Sequence, residues 1–335
     1  MKKHVVILTV LIMALILAAC GGSQGQTPSG EQGQSAGGSQ NQTSGGGTEQ
    51  GESAQQPAKR TYTDDLGVEV ELPDNPQRVV VATWHYPGHL LSLGVTPVGV
   101  FELAQDSEFI GGQLKDAKLL TQDSVEEVLA LQPDLIITDT TNPNVDKLRS
   151  IAPTIAFDVM ERKNRLETLV DIGVLLGKKE EAEKQIRDWE ARLETVKQRF
   201  EKEFDMNAVI SVIGDYETEF YVYGPNYGRG TEVLYTSLGL KFPEKLAQDM
   251  ERSGQRWAQL SEEVIPEYVG DIVFVAGYTP GSPTILDDPM YKDLPPVKEG
   301  RVYYIYEPSF YFSDPVSLNG QLDFFERVLL EGAKE

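Results

Sequence analysis

The sequence predicts an α/β protein of two Rossmann-like lobes with mainly parallel sheets, joined by one long bridging helix. Short apolar runs alternate with amphipathic stretches in both halves of the chain, as is typical of buried parallel strands and their covering helices. Between the halves, residues 178–204 lack Gly and Pro and follow a helical pattern. We therefore assign residues 59–177 to an N-terminal lobe, 178–204 to the bridging helix and 205–335 to a C-terminal lobe.

Residues 1–19 have the pattern of an export signal. Two lysines precede an apolar stretch that is too short to span a membrane, and the run LAAC follows, ending at Cys20. This run resembles the bacterial lipobox, in which the cysteine is acylated and becomes the new N-terminus. We expect the lipid on Cys20 to hold the protein at the extracytoplasmic face of a bacterial cell membrane. A secreted protein with a chance cysteine is the alternative.

The segment that follows, residues 20–58, is rich in Gly, Ser, Gln, Thr and Glu and contains almost no apolar side chains. Such a composition cannot bury a core, so we expect a disordered tether with a reach of roughly 35 Å. The formal net charge of −22 argues against nucleic acid as a partner. With one cysteine in the chain, no internal disulfide can form. We expect a monomer.

The predicted bridging helix carries one narrow apolar stripe. At about 1.5 Å per residue it spans roughly 40 Å, enough to connect two bodies, although an ordinary surface helix would show the same pattern. Gly177 lies where the preceding helix should end. The stripe consists of Ala182, Ile186, Trp189, Leu193, Val196 and Phe200.

Apolar runs predict the strands of the two sheets, and a hairpin over residues 61–72 precedes them. The runs cover residues 79–82, 97–100, 134–138 and 154–157 in the first lobe, and 208–213, 220–223, 271–275 and 301–306 in the second. Two segments share Ser, Glu and Asp at identical offsets, each followed by a strand, which favours duplicated lobes. The shared positions are Ser124, Glu126 and Asp134, and Ser261, Glu263 and Asp271.

Ligands of open α/β sheets bind beyond the carboxyl ends of the strands, and aromatic residues concentrate in the loops found there. A cleft lined in this way suits a bulky, partly apolar ligand, although many of the rings could instead pack the lobe cores. The rings are Trp84, Tyr86, Phe101, Phe109, Tyr216, Tyr221, Tyr223, Tyr227, Trp257, Tyr278, Phe310, Tyr311 and Phe312.

Catalysis and direct metal binding have little support in the sequence. No nucleophile motif is present, and carboxylate pairs are common in any chain with 52 acidic residues. His85 and His89 have the spacing that places two imidazoles on one helix face, yet no nearby residues complete a set of ligands. We expect no catalytic residues, no metal ligands and no cofactor.

The lipobox, tether, lobes and bridging helix together resemble the substrate-binding lipoproteins of bacterial ABC importers for iron–siderophore complexes, which have the helical-backbone periplasmic binding protein fold. The resemblance covers residues 61–335. Its most specific carriers are the runs PQRVVV, SVEEVLALQPDLIIT, SEEVIPEYVGDIVFV and VKEGRVYYIYEPSFYFSDP. It implies a binding protein that captures a ferric siderophore and delivers it to an ABC permease dimer with its ATPase.

The resemblance also implies roles for particular residues. Glu126 and Glu263 match the glutamates that dock on the permease, one in each lobe. The second lobe looks closest to hydroxamate-siderophore binders, in which aromatic walls and an arginine hold a ferric ion that the siderophore already coordinates. The implied ligand residues are Trp84, His85, Tyr86, Phe101, Tyr216, Tyr223, Arg229, Arg256, Trp257, Tyr278, Phe310 and Tyr311, with Arg252 a further candidate for the arginine.

Alternatives to a ferric siderophore binder remain open from the sequence. The ligand could be another iron chelate, haem or a free metal ion, for which His85 or a tyrosine would serve as the metal ligand. The first two cleft loops of the N-terminal lobe, residues 83–89 and 101–112, carry no Arg or Lys, unlike many relatives, and this departure bears on the identity of the ligand. A cell-surface enzyme on the same lipid anchor is the alternative from another class.

Overall fold

The computed structural model describes residues 60–159, 165–216 and 218–332, and only the backbone of residues 165 and 166. The predicted export signal, Cys20 and the tether lie outside these residues. Within the described part of the chain, no helix combines the length and apolar character needed to cross a membrane.

The N-terminal lobe is a five-stranded, all-parallel sheet with the strand order β5-β4-β3-β6-β7, preceded by the predicted antiparallel hairpin β1-β2. Its strands are β1 (Arg60–Thr63), β2 (Glu69–Leu72), β3 (Val79–Ala82), β4 (Gly99–Phe101), β5 (Lys118–Leu120), β6 (Leu135–Asp139) and β7 (Thr154–Phe157). Its helices are α1 (Pro87–Ser92), α2 (Glu102–Asp106), α3 (Val125–Ala130), α4 (Val145–Arg149) and α5 (Arg165–Leu175), with a 3-10 turn at Gly111–Gln113.

The C-terminal lobe has a second five-stranded sheet, with the order β10-β9-β8-β11-β12. Its strands are β8 (Ile210–Tyr216), β9 (Glu219–Tyr223), β10 (Trp257–Leu260), β11 (Ile272–Gly277) and β12 (Val302–Tyr306). Its helices are α7 (Glu244–Ser253), α8 (Pro295–Lys298), α9 (Glu307–Phe310) and α10 (Pro315–Leu330), with a π-helical turn at Glu232–Ser237 and 3-10 turns at Glu262–Tyr268, Ile285–Asp287 and Pro289–Tyr291. The reversed strand is β9, which pairs antiparallel with both β8 and β10.

Both sheets are buried on both faces, as continuously apolar strands require. In β3, Val79 and Val81 face one core of the N-terminal lobe while Val80 faces the other. In β11, Phe274 and Val275 point into opposite cores of the C-terminal lobe. This alternation places a hydrophobic layer on each side of each sheet.

The bridging helix, α6, runs from Lys179 to Glu203, close to the predicted 178–204. Gly177 has a φ of +69° and lies between α5 and α6, as expected. Ala182 packs into the core of the N-terminal lobe, whereas Trp189 and the residues of the stripe beyond it pack into the core of the C-terminal lobe. The helix therefore touches both lobes along a single face, and the predicted fold class is confirmed.

The chain crosses between the lobes again near its C-terminal end. Phe312 is buried in the core of the N-terminal lobe, although it follows the last strand of the C-terminal lobe. Asp314 then caps α10 by accepting hydrogen bonds from the backbone N–H groups of Val316 and Ser317, each at 3.0 Å. Its carboxylate packs so closely on Gly88 of α1 that a Cβ at this glycine would overlap it.

The two lobes use matching aspartates in the same way. The carboxylate of Asp134, just before β6, accepts hydrogen bonds from the backbone N–H groups of Gln77 (2.7 Å) and Arg78 (2.9 Å) at the start of β3. The carboxylate of Asp271, just before β11, accepts one from Val209 (2.8 Å) at the start of β8. Each aspartate therefore anchors the neighbouring central strand, which supports the predicted duplication.

Candidate ligand-binding site

Two cavities that share Tyr278 lie among the predicted ligand residues. The first, of about 450 Å³, has walls from both lobes. The second, of about 380 Å³, belongs to the C-terminal lobe alone. A third cavity, of about 470 Å³, contains only Phe310 of the predicted set. The first is lined by Trp84, Glu102, Leu103, Asp106, Tyr278 and Tyr311, and the second by Tyr216, Glu219, Tyr221, Tyr223, Tyr227, Arg229, Trp257 and Tyr278.

The reversed strand β9 builds the aromatic wall of the second cavity. Side chains alternate along a strand, so Tyr221 and Tyr223 lie on one face while Phe220 and Val222 pack into the core on the other. Trp257 in β10 pairs with Tyr223 in the sheet, and its ring meets that of Tyr221 edge-on at 5.6 Å. The result is a continuous aromatic surface on one face of the sheet edge.

Arg229 lies at the floor of this cavity as half of a buried ion pair. Its Nη2 is 2.6 Å from Oε1 of Glu307, and the two side chains are only 15% and 0% exposed. The Tyr216 hydroxyl donates to Oε2 of Glu307 at 3.0 Å and lies 3.0 Å from the Tyr223 hydroxyl. The guanidinium carbon is 4.7 Å from the Tyr223 ring centroid and 5.2 Å from that of Tyr311, within cation–π range.

The pKa values of this group show how the charges depend on one another. Burial lowers the pKa of Arg229, but the Glu307 carboxylate and the neighbouring tyrosines together outweigh burial and raise it. Burial raises the pKa of Glu307, and Arg229 opposes that rise. Burial also raises the pKa values of Tyr216 and Tyr223. At neutral pH the floor therefore presents a compensated cation and uncharged phenols, which can donate hydrogen bonds to an oxygen-rich ligand.

The N-terminal lobe contributes a different wall. Trp84 faces the first cavity, with its ring held edge-on against Phe101 at 4.7 Å. Glu102 and Asp106, one turn apart on α2, are exposed on the same cavity. His85 stacks on Tyr311 at 6.0 Å, which brings a residue of each lobe together at the cleft. This wall is therefore aromatic and acidic.

Three predicted ligand residues are core residues instead. Tyr86 is 1% exposed and packs edge-on against Phe157 at 5.4 Å, and Phe101 is 1% exposed beneath Trp84. Phe310 is 3% exposed and packs on the aromatic side chains of α10. These rings support the cleft from behind, because the strand or helix that carries each one turns it toward a core. In the run from Phe310 to Phe312, only Tyr311 reaches the cleft cavities.

Two of the three candidate arginines line neither cavity. Arg252 is 72% exposed on α7 and pairs with Asp249 of the same helix. Arg256 donates a hydrogen bond from Nη1 to the backbone oxygen of Asn226 at 3.3 Å. Both side chains are held by polar groups outside the cavities. The spacing of Asp249 and Arg252 on one helix was an available signal for the first contact, whereas Asn226 and Arg256 are 30 residues apart. Arg229 alone of the three faces the cleft.

The two histidines separate rather than converge. His89 is 2% exposed in α1, with its ring edge-on to Tyr86 at 5.5 Å, while His85 lies at the cleft. Among the described residues, no group of three or more His, Cys, Asp or Glu side chains could hold a metal ion.

The sequence reasoning missed several residues of the cavities. Asp106 and Leu103 follow Glu102 on α2, and the spacing of four between the acids was the available signal. Glu219, at the start of β9, also lines the second cavity. So do Tyr221 and Tyr227, which belong to the predicted aromatic loops but not to the predicted ligand set. No local sequence pattern indicates that Glu307 pairs with Arg229.

The matched glutamates are exposed on separate lobes. Glu126 lies in the first turn of α3, and Glu263 in the 3-10 turn Glu262–Tyr268. A hydrogen bond from its own backbone N–H and another from Ser261 lower the pKa of Glu263, so that it is ionised at neutral pH. Both positions are accessible to a partner.

Comparison with known proteins places this geometry in a family. Residues 79–308 match the periplasmic binding protein family. The iron(3+)-hydroxamate-binding protein YxeB of Bacillus subtilis is 34% identical, over 100% of this chain and 99% of its own. The FhuD protein of S. pseudintermedius superposes with a TM-score of 0.72 at 30% identity, covering 81% of this chain and 97% of its own.

A further solved structure is the FhuD2 protein of Staphylococcus aureus with bound ferrioxamine B. It superposes with a TM-score of 0.70 at 28% identity, covering 77% of this chain and 100% of that one. The family match spans more than half of the chain, and the similarity to YxeB extends over its whole length. The chain therefore belongs to the periplasmic binding protein family.

Proposed function

We propose that this protein is the solute-binding component of an ABC importer, which captures a ferric siderophore of the hydroxamate type and delivers it for iron uptake. The observation that carries the proposal is the aromatic cleft with one compensated arginine at its floor. Iron enters as part of the ligand, so the protein needs no metal ligands of its own. The names of the relatives, which include iron(3+)-hydroxamate-binding proteins, support the same ligand class.

The charges of the cleft favour a hydroxamate over a catecholate. A ferric tricatecholate carries three negative charges, which need several cations to offset their desolvation. Arg229 is the only basic residue that lines the two described cavities, and Glu307 already balances it. A neutral or singly positive ferric trihydroxamate avoids this cost, and an ammonium tail can meet Glu102 or Asp106.

The proposed protein binds and releases its ligand without chemical change. Family members are solute-binding proteins, and the cleft geometry accounts for recognition without any reaction step. We propose further that a lipid on Cys20 anchors the chain outside the cell membrane, and that Glu126 and Glu263 dock on the permease. The accessibility of both glutamates supports the second proposal.

Binding can be measured by quenching of intrinsic tryptophan fluorescence, because Trp84 and Trp257 both line the cleft. We expect ferrioxamine B to bind far more tightly than a ferric tricatecholate in the same buffer, with little dependence on salt. The ferric ligand recovered afterwards should be unchanged. Equal or tighter binding of the tricatecholate would contradict the hydroxamate assignment. Saturable binding of haem or free Fe³⁺, with neither siderophore bound, would replace it.

Variants locate the site. Trp257→Ala and Tyr311→Ala should each weaken ferrioxamine B binding by about tenfold, the loss typical of a well-packed aromatic contact. Met290→Ala is the control, because this side chain is exposed and lines none of the three cavities. If both aromatic variants bind as tightly as the control, the ligand lies elsewhere.

A further inference from the structure

Glu307 lies behind the floor of the cleft and not in its wall. Arg229 separates it from the second cavity, whose lining does not include Glu307. The carboxylate is fully buried, 2.6 Å from the guanidinium on one side and 3.0 Å from the Tyr216 hydroxyl on the other. It therefore acts on a bound ligand indirectly, through Arg229 and Tyr216, which both line the second cavity.

The loop around Arg229 is built to keep the guanidinium in this place. Arg229 has a φ of +56°, an unfavourable region for a residue with a side chain, and it lies between Gly228 and Gly230 at +75° and +80°. A Cβ at Gly228 would lie only 3.0 Å from the Tyr311 backbone oxygen. The ion pair and the surrounding rings hold Arg229 in this conformation, with its guanidinium against the cavity.

A buried charge without a partner is strongly unfavourable, so Arg229 and Glu307 stabilise each other in the free protein. A neutral ferric chelate leaves this balance intact, because its oxygens accept hydrogen bonds from Arg229 without adding formal charge. An anionic chelate places a second negative charge close to the Glu307 carboxylate. Glu102 and Asp106, which line the first cavity, repel the same ligand.

We propose that Glu307 is a specificity-determining positioning residue, which balances the charge of Arg229 so that the cleft accepts ferric chelates of zero or positive charge and rejects anionic ones. This inference rests on the proposed function. It predicts that removing the negative charge of Glu307 turns Arg229 into an uncompensated cation that attracts anionic chelates.

The test is Glu307→Gln, which keeps the size of the side chain and its ability to accept from Tyr216. The quantity to measure is the dissociation constant of a ferric tricatecholate divided by that of ferrioxamine B, by fluorescence quenching at fixed ionic strength. We expect this ratio to fall at least about tenfold in the variant, because removing one partner of a buried charge pair typically changes affinity by that much or more. An unchanged ratio in a cooperatively folded variant would overturn the proposal.

The double variant Arg229→Gln/Glu307→Gln provides a second test that does not depend on the single variant folding. It leaves no isolated buried charge, so it should fold. If Glu307 compensates Arg229, removing both keeps the local charge at zero, and the ratio stays near that of the wild type. If Arg229 instead acts on the ligand uncompensated, removing both residues removes an effective cation. The ratio would then rise about tenfold above that of the wild type, and the proposal would be wrong.

Glu232→Gln is the matched control, because Glu232 is a buried glutamate close to the same loop without a cationic partner. It accepts hydrogen bonds from the Gly228 N–H (3.1 Å) and the Ser313 hydroxyl (2.7 Å). Its substitution should leave the ratio unchanged even if both affinities drop. Failure of the proposed function is distinguishable, because the wild-type protein would then bind neither ferric siderophore.

Discussion

The two lobes share a plan, and they differ where the ligand site is built. Both have a central strand anchored by a carboxylate, from Asp134 in the first lobe and Asp271 in the second. In the five-stranded sheet of the N-terminal lobe every strand is parallel, and the cleft wall comes from a loop and a short helix after the strands. In the C-terminal lobe the reversed strand β9 adds a face of rings.

This difference shows that reversing one strand is enough to give two lobes of the same plan different cleft walls. In the N-terminal lobe, α1 connects the parallel strands β3 and β4. In the C-terminal lobe, the corresponding strand β8 is followed directly by the antiparallel strand β9. It brings Tyr221 and Tyr223 to the side of the sheet that faces the cavity. In the proposed function, the shared parts of the lobes serve folding and docking, and the part that differs serves ligand recognition.

The prediction with the largest expected effect concerns the two matched glutamates and asks whether both lobes contribute to docking on the permease. Replacing Glu126 and Glu263 together with Ala should abolish siderophore-dependent iron uptake and leave ligand affinity in solution unchanged. The reason is that charge-assisted pairs with a permease are geometrically demanding and specific. Uptake of radioactive ferric siderophore by whole cells measures the effect.

The matched control replaces the neighbouring exposed acids, Glu127 and Glu262, with Ala. This pair should transport normally. Equal partial losses in the single variants Glu126→Ala and Glu263→Ala would support equivalent lobes. Normal uptake by the double variant would show that the matched positions do not dock.

The next effect tests whether the lobes are independent copies or one packed unit. Gly88→Ala places a methyl group against the buried Asp314 carboxylate, where α1 of one lobe meets the start of α10. We expect it to lower the free energy of unfolding by about 2–3 kcal/mol, as overpacking of a rigid contact does. Urea unfolding monitored by circular dichroism measures the change.

Gly112→Ala is the control, because the added methyl group meets nothing within 4 Å and the backbone needs no positive φ there. It should change stability by less than about 0.5 kcal/mol. If Gly88→Ala is equally mild, the contact between the lobes is loose enough to adjust.

The smallest expected effect compares the two strand anchors. Asp134→Ala removes two hydrogen bonds at the start of β3 and should destabilise the protein by about 2 kcal/mol, because each bond to a charged group contributes about 1 kcal/mol or more. Asp271→Ala removes one and should have a smaller effect. Urea midpoints give both values, with the exposed Asp146→Ala as the control. The reverse order would mean that the two anchors are not equivalent.

Local patterns in the sequence predicted the architecture except for the edge strands β5 and β10, which lie outside the predicted apolar runs. The stripe that begins at Ala182, the apolar strand runs and the matched aspartates predicted the bridging helix, the sheets and the duplication. These features depend on side-chain periodicity within a few turns or one strand, and the buried surface they create leaves little freedom in how they pack. The lipobox at Cys20 and the tether are likewise sequence patterns, and they remain predictions.

Only the tertiary structure decided which candidates meet at the cleft. Arg229 is paired with Glu307, Arg252 is held on its own helix, and Phe312 fills the core of the other lobe. The contact of Arg252 is local, with Asp249 three residues before it. The other two contacts join positions far apart in the chain, so no sequence spacing encodes them. Whether a ring or a guanidinium faces ligand, solvent or core depends on the elements packed behind it, and that packing exists only once both lobes have folded.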